Sequence, residues 1–454
     1  MLHGSYYFCT MLHNRAHVTV SIEDPVVFKD QLLEFYKDST YFSLLDSNGH
    51  SDTYSSQQWL VGAGSVASLE VTKGDAFTQL RDFHTTHASW ILGFLSYDLK
   101  NELEQLSSDH EDTVAAPLLH FFVPEILFRY TAAGLEVAVH ETVAVDPFAL
   151  VKQILNHNKV QPAVATQTSE VTAIDTKDRY IAKVQKVLNH IYRGDIYEAN
   201  FCTQFQARNV QLDTLRAFTE LNAISSSPFS VYASLGALKI MCASPERYIK
   251  KEGATIISQP IKGTAKRAFN ILEDVAIKQQ LAADPKERSE NVMIVDLVRN
   301  DLSKIATTGS VQVSELFGIY TFKQVHQMIS TVTAQLLPEL EFIDVLKATF
   351  PMGSMTGAPK LSAMNIIEQT ESFKRGIYSG AVGYITPQGD MDFNVVIRTI
   401  LYNTGNKNLS LSVGSAITAQ AIPELEYDEC MLKARALFEV LAQQGVTLQH
   451  AHSL

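Results

Sequence analysis

The fold class is decided by residues 380–400, GAVGYITPQGDMDFNVVIRTI. Two β-rich runs, Gly380 to Ile385 and Met391 to Ile400, flank the turn residues 387–390, and this pattern predicts an antiparallel hairpin. Short strand-like runs also occur at 59–61 and 120–124, and strands do not alternate regularly with helices. We therefore expect an α+β protein with antiparallel sheets.

A helix is clearly predicted after residue 172. Asp175 and Asp178 fit a capping-box spacing, and Gly194 is a typical helix end. The apolar residues on one face are Ile181, Val184, Val187 or Leu188, and Ile191. Residues 156–172 show neither the spacing of apolar residues typical of a helix nor the alternation typical of a strand. We therefore predict a linker there, between an N-terminal region (1–155) and a C-terminal region (173–445).

Bulk composition excludes several functional classes. The 454 residues are 46% hydrophobic and 19% charged, which is typical of a globular protein. A net charge of -12 argues against nucleic acids and anionic membranes as partners. The four cysteines show no CxxC or zinc spacing, and no apolar stretch is long enough for a signal peptide or a bilayer span. We expect buried thiols and a soluble, cytoplasmic protein.

Lys262 is the first candidate for chemistry. It lies in SQPIKGT (258–264), where proline and glycine restrict the backbone. A fixed, poorly hydrated lysine can lose its proton and act as a nucleophile. The alternative is a solvated turn residue.

Carboxylates form a second set of candidates. Glu290 lies in a strongly apolar helical stretch, so it needs a cation or a hydrogen-bonding partner. Glu426, Glu429 and Lys433 share one face of a helix that follows Pro423. The two helices are able to offer oxygens to Mg²⁺, whereas the alternative is a capped helix start with a Glu–Lys surface pair.

Arg398 lies in the predicted strand on the same side as Asp392 and Asn394. A buried guanidinium needs an anion, either a substrate carboxylate or a protein acid such as Asp392. The Gly-rich loop 353–360 leads into a helix and offers backbone N–H groups to an anion. Glu246 and His326 are candidates for proton transfer. Together, the metal-capable acids, Arg398, the Gly-rich loop and Lys262 suit a site for a small dicarboxylate.

Two other glycine-rich stretches carry little weight. Residues 62–67 fit a dinucleotide fingerprint, but no helix is predicted after them to hold a pyrophosphate. Residues 353–360 do not have the spacing of a phosphate loop, and no Ser or Thr follows Lys360. A dinucleotide oxidoreductase is therefore a distant alternative.

The chain resembles the chorismate-utilising enzymes. The matching segments are 194–201, 244–247, 260–264, 290–301, 350–360, 378–383, 390–399 and 424–433, with weaker matches at 44–47, 93–98 and 121–125. The resemblance implies one large α/β domain with two antiparallel sheets packed orthogonally, surrounded by helices, and an N-terminal region of the anthranilate synthase component I type.

The resemblance also implies the reaction. Anthranilate synthases carry Ala where this chain has Lys262, and isochorismate and salicylate synthases carry Lys where it has Glu198. The implied activity is amination of chorismate at C4 with the enolpyruvyl group retained, for p-aminobenzoate and folate synthesis. The alternatives are an anthranilate synthase component and a non-catalytic tryptophan-binding regulatory paralogue.

The resemblance assigns roles to individual residues. Lys262 attacks C2, Glu246 donates a proton, and Glu198 and His326 are further catalytic groups. Mg²⁺ is held by Glu290 and Glu429, with Glu426 beside them. The implied substrate-binding residues are Thr264, Thr356, Gly357, Tyr378, Arg398, Gly414 and Lys433. The implied tryptophan pocket consists of Leu45, Asp46, Ser47, Tyr54, Pro228 and Phe229.

Two positions depart from the family pattern. Glu198 stands where glutamine is usual, and pairing with Lys262 would favour the protonated amine, which we interpret as a proton relay. Gly414-Ser415-Ala416 replaces a Gly-x-Gly turn. No cysteine has the G-x-C-x-G neighbours of a glutaminase, so we expect ammonia from a separate glutamine amidotransferase subunit.

Overall fold

The structure is a computed structural model, and it describes residues 10–12, 15–157 and 168–449. The strands of this part of the chain are β1 (Thr10–Leu12), β2 (Arg15–Val20), β3 (Tyr41–Asp46), β4 (Trp59–Ala63), β5 (Ala67–Val71), β6 (Ile91–Leu95), β7 (Leu119–Val123), β8 (Ile126–Thr131), β9 (Gly134–His140), β10 (Ser169–Ala173), β11 (Glu198–Ala207), β12 (Phe229–Leu235), β13 (Leu238–Ser244), β14 (Arg247–Glu252), β15 (Thr255–Gln259), β16 (Ile261–Lys266), β17 (Gln312–Thr321), β18 (Val325–Gln335), β19 (Gly357–Ala358), β20 (Ala381–Ile385), β21 (Met391–Asn394), β22 (Thr399–Asn403), β23 (Asn408–Thr418) and β24 (Val446–Leu448).

The helices of the same residues are α1 (Pro25–Phe35), α2 (Ala76–His87), α3 (Lys100–Leu103), α4 (Pro147–Leu155), α5 (Lys177–Arg193), α6 (Thr214–Ser225), α7 (Ile271–Ala283), α8 (Pro285–Ser303), α9 (Phe342–Thr349), α10 (Lys360–Thr370) and α11 (Pro423–Ala442). Short 3₁₀ turns occupy Tyr97–Leu99 and Gly353–Met355.

Two sheets organise the molecule. The larger has the order β1-β2-β9-β8-β4-β3-β12-β13-β22-β23-β11-β10-β24, and β19 also pairs with β11. The smaller has the order β16-β18-β15-β14-β21-β20-β6-β7-β5, and β17 also pairs with β18. Among the described strands, every pairing is antiparallel except β10 with β24. The predicted α+β class with two antiparallel sheets is confirmed.

Side-chain alternation in the larger sheet builds two core layers. In β12, Val231 and Ala233 belong to the layer shared with the smaller sheet, whereas Tyr232 belongs to the layer under helices such as α5, α6 and α11. Strand β13 repeats this pattern, with Cys242 in the first layer and Met241 in the second. Successive strand residues point to opposite faces, so the larger sheet is buried on both sides.

The decisive stretch begins as predicted and then departs from the prediction. Strands β20 and β21 form the expected hairpin, with Gly383 opposite Phe393. The prediction of one strand through residue 400 was wrong, because β21 ends at Asn394 and β22 lies in the other sheet. The Asn394 side chain accepts a hydrogen bond from the Val382 N–H at 3.0 Å and donates to the Phe229 carbonyl at 3.0 Å. This side chain therefore links the two sheets at the point where the chain crosses.

The prediction for α5 needs two corrections. Its buried face contains Val184, Val187, Leu188 and Ile191 as expected, but Tyr180 is buried in place of Ile181, which is only partly buried. Gly194 ends the helix with φ of 84°. The cap, however, is Thr176, whose hydroxyl accepts from the Arg179 N–H. Asp175 instead forms an ion pair with Lys183 at 2.6 Å, because its carboxylate is buried and needs a cation.

Other predictions lie partly outside the described residues. Of the predicted linker 156–172, residues 158–167 are outside, and Ser169–Ala173 forms strand β10. Three of the four cysteines, Cys202, Cys242 and Cys430, are free and buried, while Cys9 is outside. Strand β5 follows β4, so residues 62–67 do not open a helix. No helix in the described ranges has the length and apolarity to cross a membrane.

Candidate active site

Lys262 lies at a bulge in the edge strand β16 of the smaller sheet. Ile261 pairs with Ile329 and Thr264 pairs with Gln327, so β16 contains one more residue than β18 between these pairs. Gly263, with φ of 92°, takes the left-handed conformation that such a bulge requires. A bulge redirects side chains away from their regular alternation, and the Lys262 side chain is only 10% exposed.

Glu198 opens strand β11 of the larger sheet and meets Lys262 across the space between the sheets. The Lys262 Nζ donates a hydrogen bond to Glu198 Oε1 at 2.8 Å. Glu198 is 1% exposed, and its second oxygen, Oε2, is buried without a hydrogen-bond partner among the described residues. The ion pair expected from two distant sequence motifs is therefore present.

Burial acts to lower the pKa of Lys262, because the charged amine loses hydration. The carboxylates of Glu198, Glu290 and Glu246 act in the opposite direction and outweigh it, so the pKa is raised. The resting side chain is an ammonium ion, and a nucleophilic role requires a proton acceptor. Glu198 is in position to be that acceptor.

Glu246 lies where the chain crosses from β13 in the larger sheet to β14 in the smaller one. Burial raises the pKa of its carboxyl group to about 7, against the opposing effects of the Ser354 hydroxyl and the Lys262 ammonium. A carboxyl group with this pKa is partly protonated at neutral pH and can donate a proton.

Arg398 lies at the second crossing, between β21 and β22. Its backbone has φ of 52°, and its carbonyl accepts from the Ala243 N–H at 3.1 Å, beside the Glu246 crossing. The alternative ion pair with Asp392 was wrong, because Asp392 pairs with Arg247 at 3.0 Å. The guanidinium of Arg398 forms no hydrogen bond or ion pair with any described residue. Burial lowers its pKa, and the Glu246 carboxylate opposes this.

The acids expected to bind a metal lie on α8 and α11. Glu290 is 8% exposed, and its Oε1 has no hydrogen-bond partner among the described residues, with only the Lys286 Nζ at 3.8 Å. Burial raises the pKa of Glu290 to about 7, and the Lys262 ammonium opposes this. The Lys286 ammonium at 3.8 Å is beyond hydrogen-bond distance, so this buried oxygen has a nearby cation but no hydrogen-bond donor.

The α11 acids differ from each other. Glu426 is buried, and burial raises its pKa. Glu429 is half exposed and pairs with Lys433 at 2.7 Å, so its pKa is lowered although partial burial acts to raise it. Lys433 also donates to the Gly414 carbonyl at 2.9 Å. The Glu–Lys pair that the sequence left open is present.

Lys286 was missed by sequence reasoning and lies among these acids. Burial acts to lower its pKa, but the carboxylates of Glu290, Glu426 and other nearby glutamates outweigh it, so the pKa is raised. The acids of α8 and α11 therefore act on one cation. Its i,i+4 spacing to Glu290 was the available signal. Among the described residues, no three His, Cys, Asp or Glu side chains are close enough to hold a metal by themselves.

The predicted backbone contacts lie beside Glu198. Gly357 and Ala358 form the short strand β19 against Ala199 and Glu198, and a Cβ on Gly357 would lie 2.1 Å from the Glu198 carbonyl. Thr356 is buried, and its hydroxyl donates within its own turn, to the Gly353 carbonyl at 3.2 Å.

The far side of β11 carries further predicted residues. Gly414 on β23 pairs with Cys202 on β11. A Cβ added to Gly414 would lie 2.5 Å from the Cys202 sulfur. Cys202 Sγ donates to the Tyr378 hydroxyl at 3.9 Å, so Tyr378 is also held beside β11. Thr264, by contrast, is exposed on β16.

His326 makes hydrogen bonds outside this group. Its Nε2 lies 3.0 Å from Asp274 Oδ1 on α7, and its Nδ1 lies 3.0 Å from the Thr321 hydroxyl. Neither bond leads to Lys262 or Glu246. These contacts attach α7 to β18, so His326 has a structural environment.

A separate cavity of about 270 Å³ lies between the sheets. Five of the six residues of the predicted tryptophan pocket line it: Leu45, Asp46, Ser47, Pro228 and Phe229. Tyr54 does not line it, and its carbonyl accepts from the Lys250 Nζ at 2.6 Å. The cavity also contacts Pro245 and Ile261, the neighbours of two candidate catalytic residues.

Comparison with known proteins gives a consistent result. Residues 32–439 match the model of a family described as chorismate binding enzymes. An aminodeoxychorismate synthase component 1 of Escherichia coli K12 is 34% identical over 364 residues, which cover 77% of this chain and 76% of that protein.

Two further comparisons, one with a plant protein and one with a solved structure, also give chorismate-related enzymes. A probable chloroplastic aminodeoxychorismate synthase of Oryza sativa subsp. japonica is 40% identical over 271 residues, which cover 59% of this chain but only 30% of that longer protein. The crystal structure of anthranilate synthase component I from Streptococcus pneumoniae TIGR4 aligns with a TM-score of 0.72 and 26% identity, over 87% of this chain and 91% of that one.

Proposed function

Because the chain belongs to the family of chorismate binding enzymes, we propose that it aminates chorismate at C4 to form 4-amino-4-deoxychorismate, for p-aminobenzoate and folate synthesis. The observation that carries this proposal is the buried Lys262, paired with Glu198 at 2.8 Å between the two sheets. A positioned lysine with a carboxylate proton acceptor suits covalent catalysis. The names of relatives such as the Escherichia coli protein support the same reaction.

In the first half of the reaction, Glu198 accepts the proton of Lys262. The Nζ lone pair then forms a bond to C2 of chorismate, and the ring π electrons shift towards C4. The C4–O bond breaks, and Glu246 protonates the departing hydroxyl, which leaves as water. The pKa of about 7 for Glu246 suits this donor role.

In the second half, ammonia attacks C4 and the π electrons shift back. The C2–N bond breaks, and Lys262 is released as the neutral amine, which takes back the proton held by Glu198. Glu246, now a carboxylate, accepts a proton from the new ammonium group. The sum is chorismate plus ammonia giving aminodeoxychorismate plus water, and each catalytic side chain returns to its starting state.

Mg²⁺ would be held by acids of α8 and α11, together with water and substrate oxygens. Glu290 offers a buried oxygen without a hydrogen-bond partner, and Glu426 and Glu429 of α11 act on the same Lys286 ammonium as Glu290 does. Mg²⁺ takes one or two carboxylates and keeps its remaining positions for water and substrate oxygens. When bound there, Mg²⁺ would hold the ring carboxylate and draw electron density from the ring.

Arg398 would bind the enolpyruvyl carboxylate, because its fork of N–H donors matches a carboxylate and it has no protein acid as partner. Tyr378 and the Gly414 backbone would complete this contact. The Thr356–Gly357 turn and Lys433 would contact the other carboxylate, with Thr264 at the exposed rim. His326 would act only indirectly, through the position of β18.

The ammonia would come from a separate glutamine amidotransferase subunit, since none of the described cysteines is an accessible thiol. Purified chain would then use ammonium salts but not glutamine. Turnover of glutamine by the pure chain would contradict this part. The cavity would accept tryptophan, with Leu45 and Phe229 in its lining as apolar contacts for the indole. Calorimetric titration with tryptophan, with alanine as control ligand, tests that assignment.

One incubation tests the main proposal. Pure protein is mixed with chorismate, Mg²⁺ and an ammonium salt, and the products are identified by mass spectrometry. The expected product is 4-amino-4-deoxychorismate, and the Lys262→Ala variant should not form it. Direct formation of anthranilate and pyruvate would instead show an anthranilate synthase. No turnover, with tryptophan binding retained, would indicate a regulatory paralogue.

A further inference from the structure

Arg375 and Glu371 form a fully buried ion pair that contacts β11 at Asn200, two residues after Glu198. Arg375 Nε and Nη2 donate to the two carboxylate oxygens of Glu371, at 2.9 and 2.6 Å. The two side chains are 1% and 3% exposed, and the guanidinium lies 4.6 Å from the centre of the Tyr97 ring. None of these residues was among the sequence candidates.

The remaining N–H groups of Arg375 reach three segments that carry candidate site residues. Its Nη2 donates to the Asn200 carbonyl on β11 at 2.8 Å. Its Nη1 donates to the Met355 carbonyl at 2.7 Å and to the Ser379 hydroxyl at 3.3 Å. All five guanidinium hydrogens therefore have an acceptor.

The pair replaces a neighbouring strand along part of β11. On this side, β19 pairs with residues 198–199 and β10 pairs with residues 205–206. Between them, the Asn200 N–H donates to the Thr356 carbonyl at 2.8 Å, and the Cys202 N–H donates to Glu371 Oε1 at 2.9 Å. The Thr356 carbonyl and the side chains of Arg375 and Glu371 thus satisfy the backbone groups that a strand would otherwise satisfy.

Stability alone does not explain this arrangement. Removing two charges from water costs about as much free energy as their attraction returns, so a buried ion pair is weak evidence for stabilisation. A planar fork with five fixed directions does, however, define the relative positions of the groups it contacts. Here those groups belong to β11, to the 353–357 turn and to the turn that contains Tyr378.

We propose that Arg375 and Glu371 are positioning residues that set the place where chorismate is held, by fixing β11, the Thr356–Gly357 turn and Tyr378 relative to one another. This proposal rests on the proposed function. Arg375 supplies the fork, and Glu371 holds it in one orientation. Neither residue contacts the substrate.

The test compares Arg375→Lys and Glu371→Gln with a matched control, Arg15→Lys. Arg15 is equally buried and donates to the Pro124 carbonyl at 2.6 Å, but its contacts lie in the N-terminal region. The kcat and KM for chorismate are measured with saturating ammonium, and the folded fraction is measured by thermal unfolding.

Loss of folded protein lowers the apparent kcat and leaves KM unchanged, whereas misplaced binding groups raise KM. We expect KM to rise about tenfold or more in Arg375→Lys, with a smaller rise in Glu371→Gln, which retains an acceptor for the Cys202 N–H. Arg15→Lys should keep KM within about twofold of the wild type.

A wild-type KM in both folded variants would overturn the proposal, and so would failure of both to fold, since the pair would then serve folding. If the wild-type chain forms no aminodeoxychorismate, the proposed function fails instead. The two failures are therefore distinguishable.

Discussion

The Lys262 ammonium and the Glu198 carboxylate form a 2.8 Å hydrogen bond that joins β16, at the edge of the smaller sheet, to β11, near one end of the larger sheet. The bond brings the proposed nucleophile and its proton acceptor into direct contact. It also raises the pKa of the amine, against the effect of burial. The resting pair therefore keeps a proton on the Lys262 amine, and the proposed reaction must first remove that proton.

Replacing Glu198 with glutamine should lower the pKa of Lys262. The variant keeps a hydrogen-bond acceptor but removes one of the negative charges that stabilise the ammonium form. The pH dependence of Lys262 modification by an amine-selective reagent, followed by peptide mass spectrometry, measures this directly. The expected shift is towards lower pH.

The matched control for this shift is Asp175→Asn, which alters the buried Lys183–Asp175 pair at 2.6 Å. That variant should leave the Lys262 profile unchanged. An unchanged profile in Glu198→Gln would mean that Glu198 does not control the proton of Lys262.

Glu246→Gln should reduce kcat by about 10²- to 10⁴-fold, the usual contribution of a positioned proton donor. In the wild type, the proton donor must be protonated, and its pKa is about 7. The rate of the first half-reaction should therefore fall as pH rises through about 7. Single-turnover measurements across this range test the assignment, and a rate that still falls in the same way in Glu246→Gln would contradict it.

Glu290→Gln should stabilise the metal-free protein at alkaline pH. The pKa of Glu290 is raised from 4.5 to about 7 in the folded state. Below pH 4.5 both states hold the proton and no penalty exists; as pH rises from 4.5 to about 7, only the unfolded state releases it, so folding stability falls. The penalty is complete above about pH 7 and amounts to about 3 kcal/mol at most.

Urea unfolding in EDTA at about pH 8 and about pH 4.5 measures this difference. The Gln variant should exceed the wild type only at the higher pH, and added Mg²⁺ should stabilise the wild type alone. Asp296→Asn, which alters an exposed acid on the same helix, is the matched control. If the wild type and Glu290→Gln were equally stable at both pH values, the ionised Glu290 carboxylate would not destabilise the metal-free protein.

Arg398→Met should raise the KM for chorismate without destabilising the fold. A charge-assisted hydrogen bond contributes about 1.5–3 kcal/mol, which corresponds to a rise of about tenfold to 100-fold. The contrasting variant is Arg247→Met, which breaks a buried pair with Asp392 and should cost about 3–5 kcal/mol of stability. Unfolding curves and steady-state kinetics of both variants separate the two roles. A large loss of stability in Arg398→Met would show that Arg398 has a structural role.

Local patterns predicted some elements of the fold well. The hairpin at 380–394, the buried face of α5 and the Glu429–Lys433 pair all follow from neighbouring residues and their periodicity. The contact between Lys262 and Glu198 followed from family motifs that lie far apart in the sequence, although no local pattern indicated it.

The missed features depend on contacts between distant segments. The crossing at 395–398 depends on the Asn394 side chain, which accepts from Val382 and donates to Phe229. The Arg375–Glu371 pair looks like an ordinary i,i+4 surface pair, and only the fold places it against β11. Hydrogen bonds of this kind leave no periodic signal in the sequence.

The most direct test of the account is a mass spectrum of the protein mixed with chorismate and Mg²⁺ without ammonia. We predict a covalent adduct with the mass of chorismate less one water, located on Lys262 by peptide mapping. Lys262→Ala should lack it, and Lys266→Ala, which alters an exposed lysine on the same strand, should retain it. An adduct on another residue, or amination at a wild-type rate by Lys262→Ala, would contradict the account.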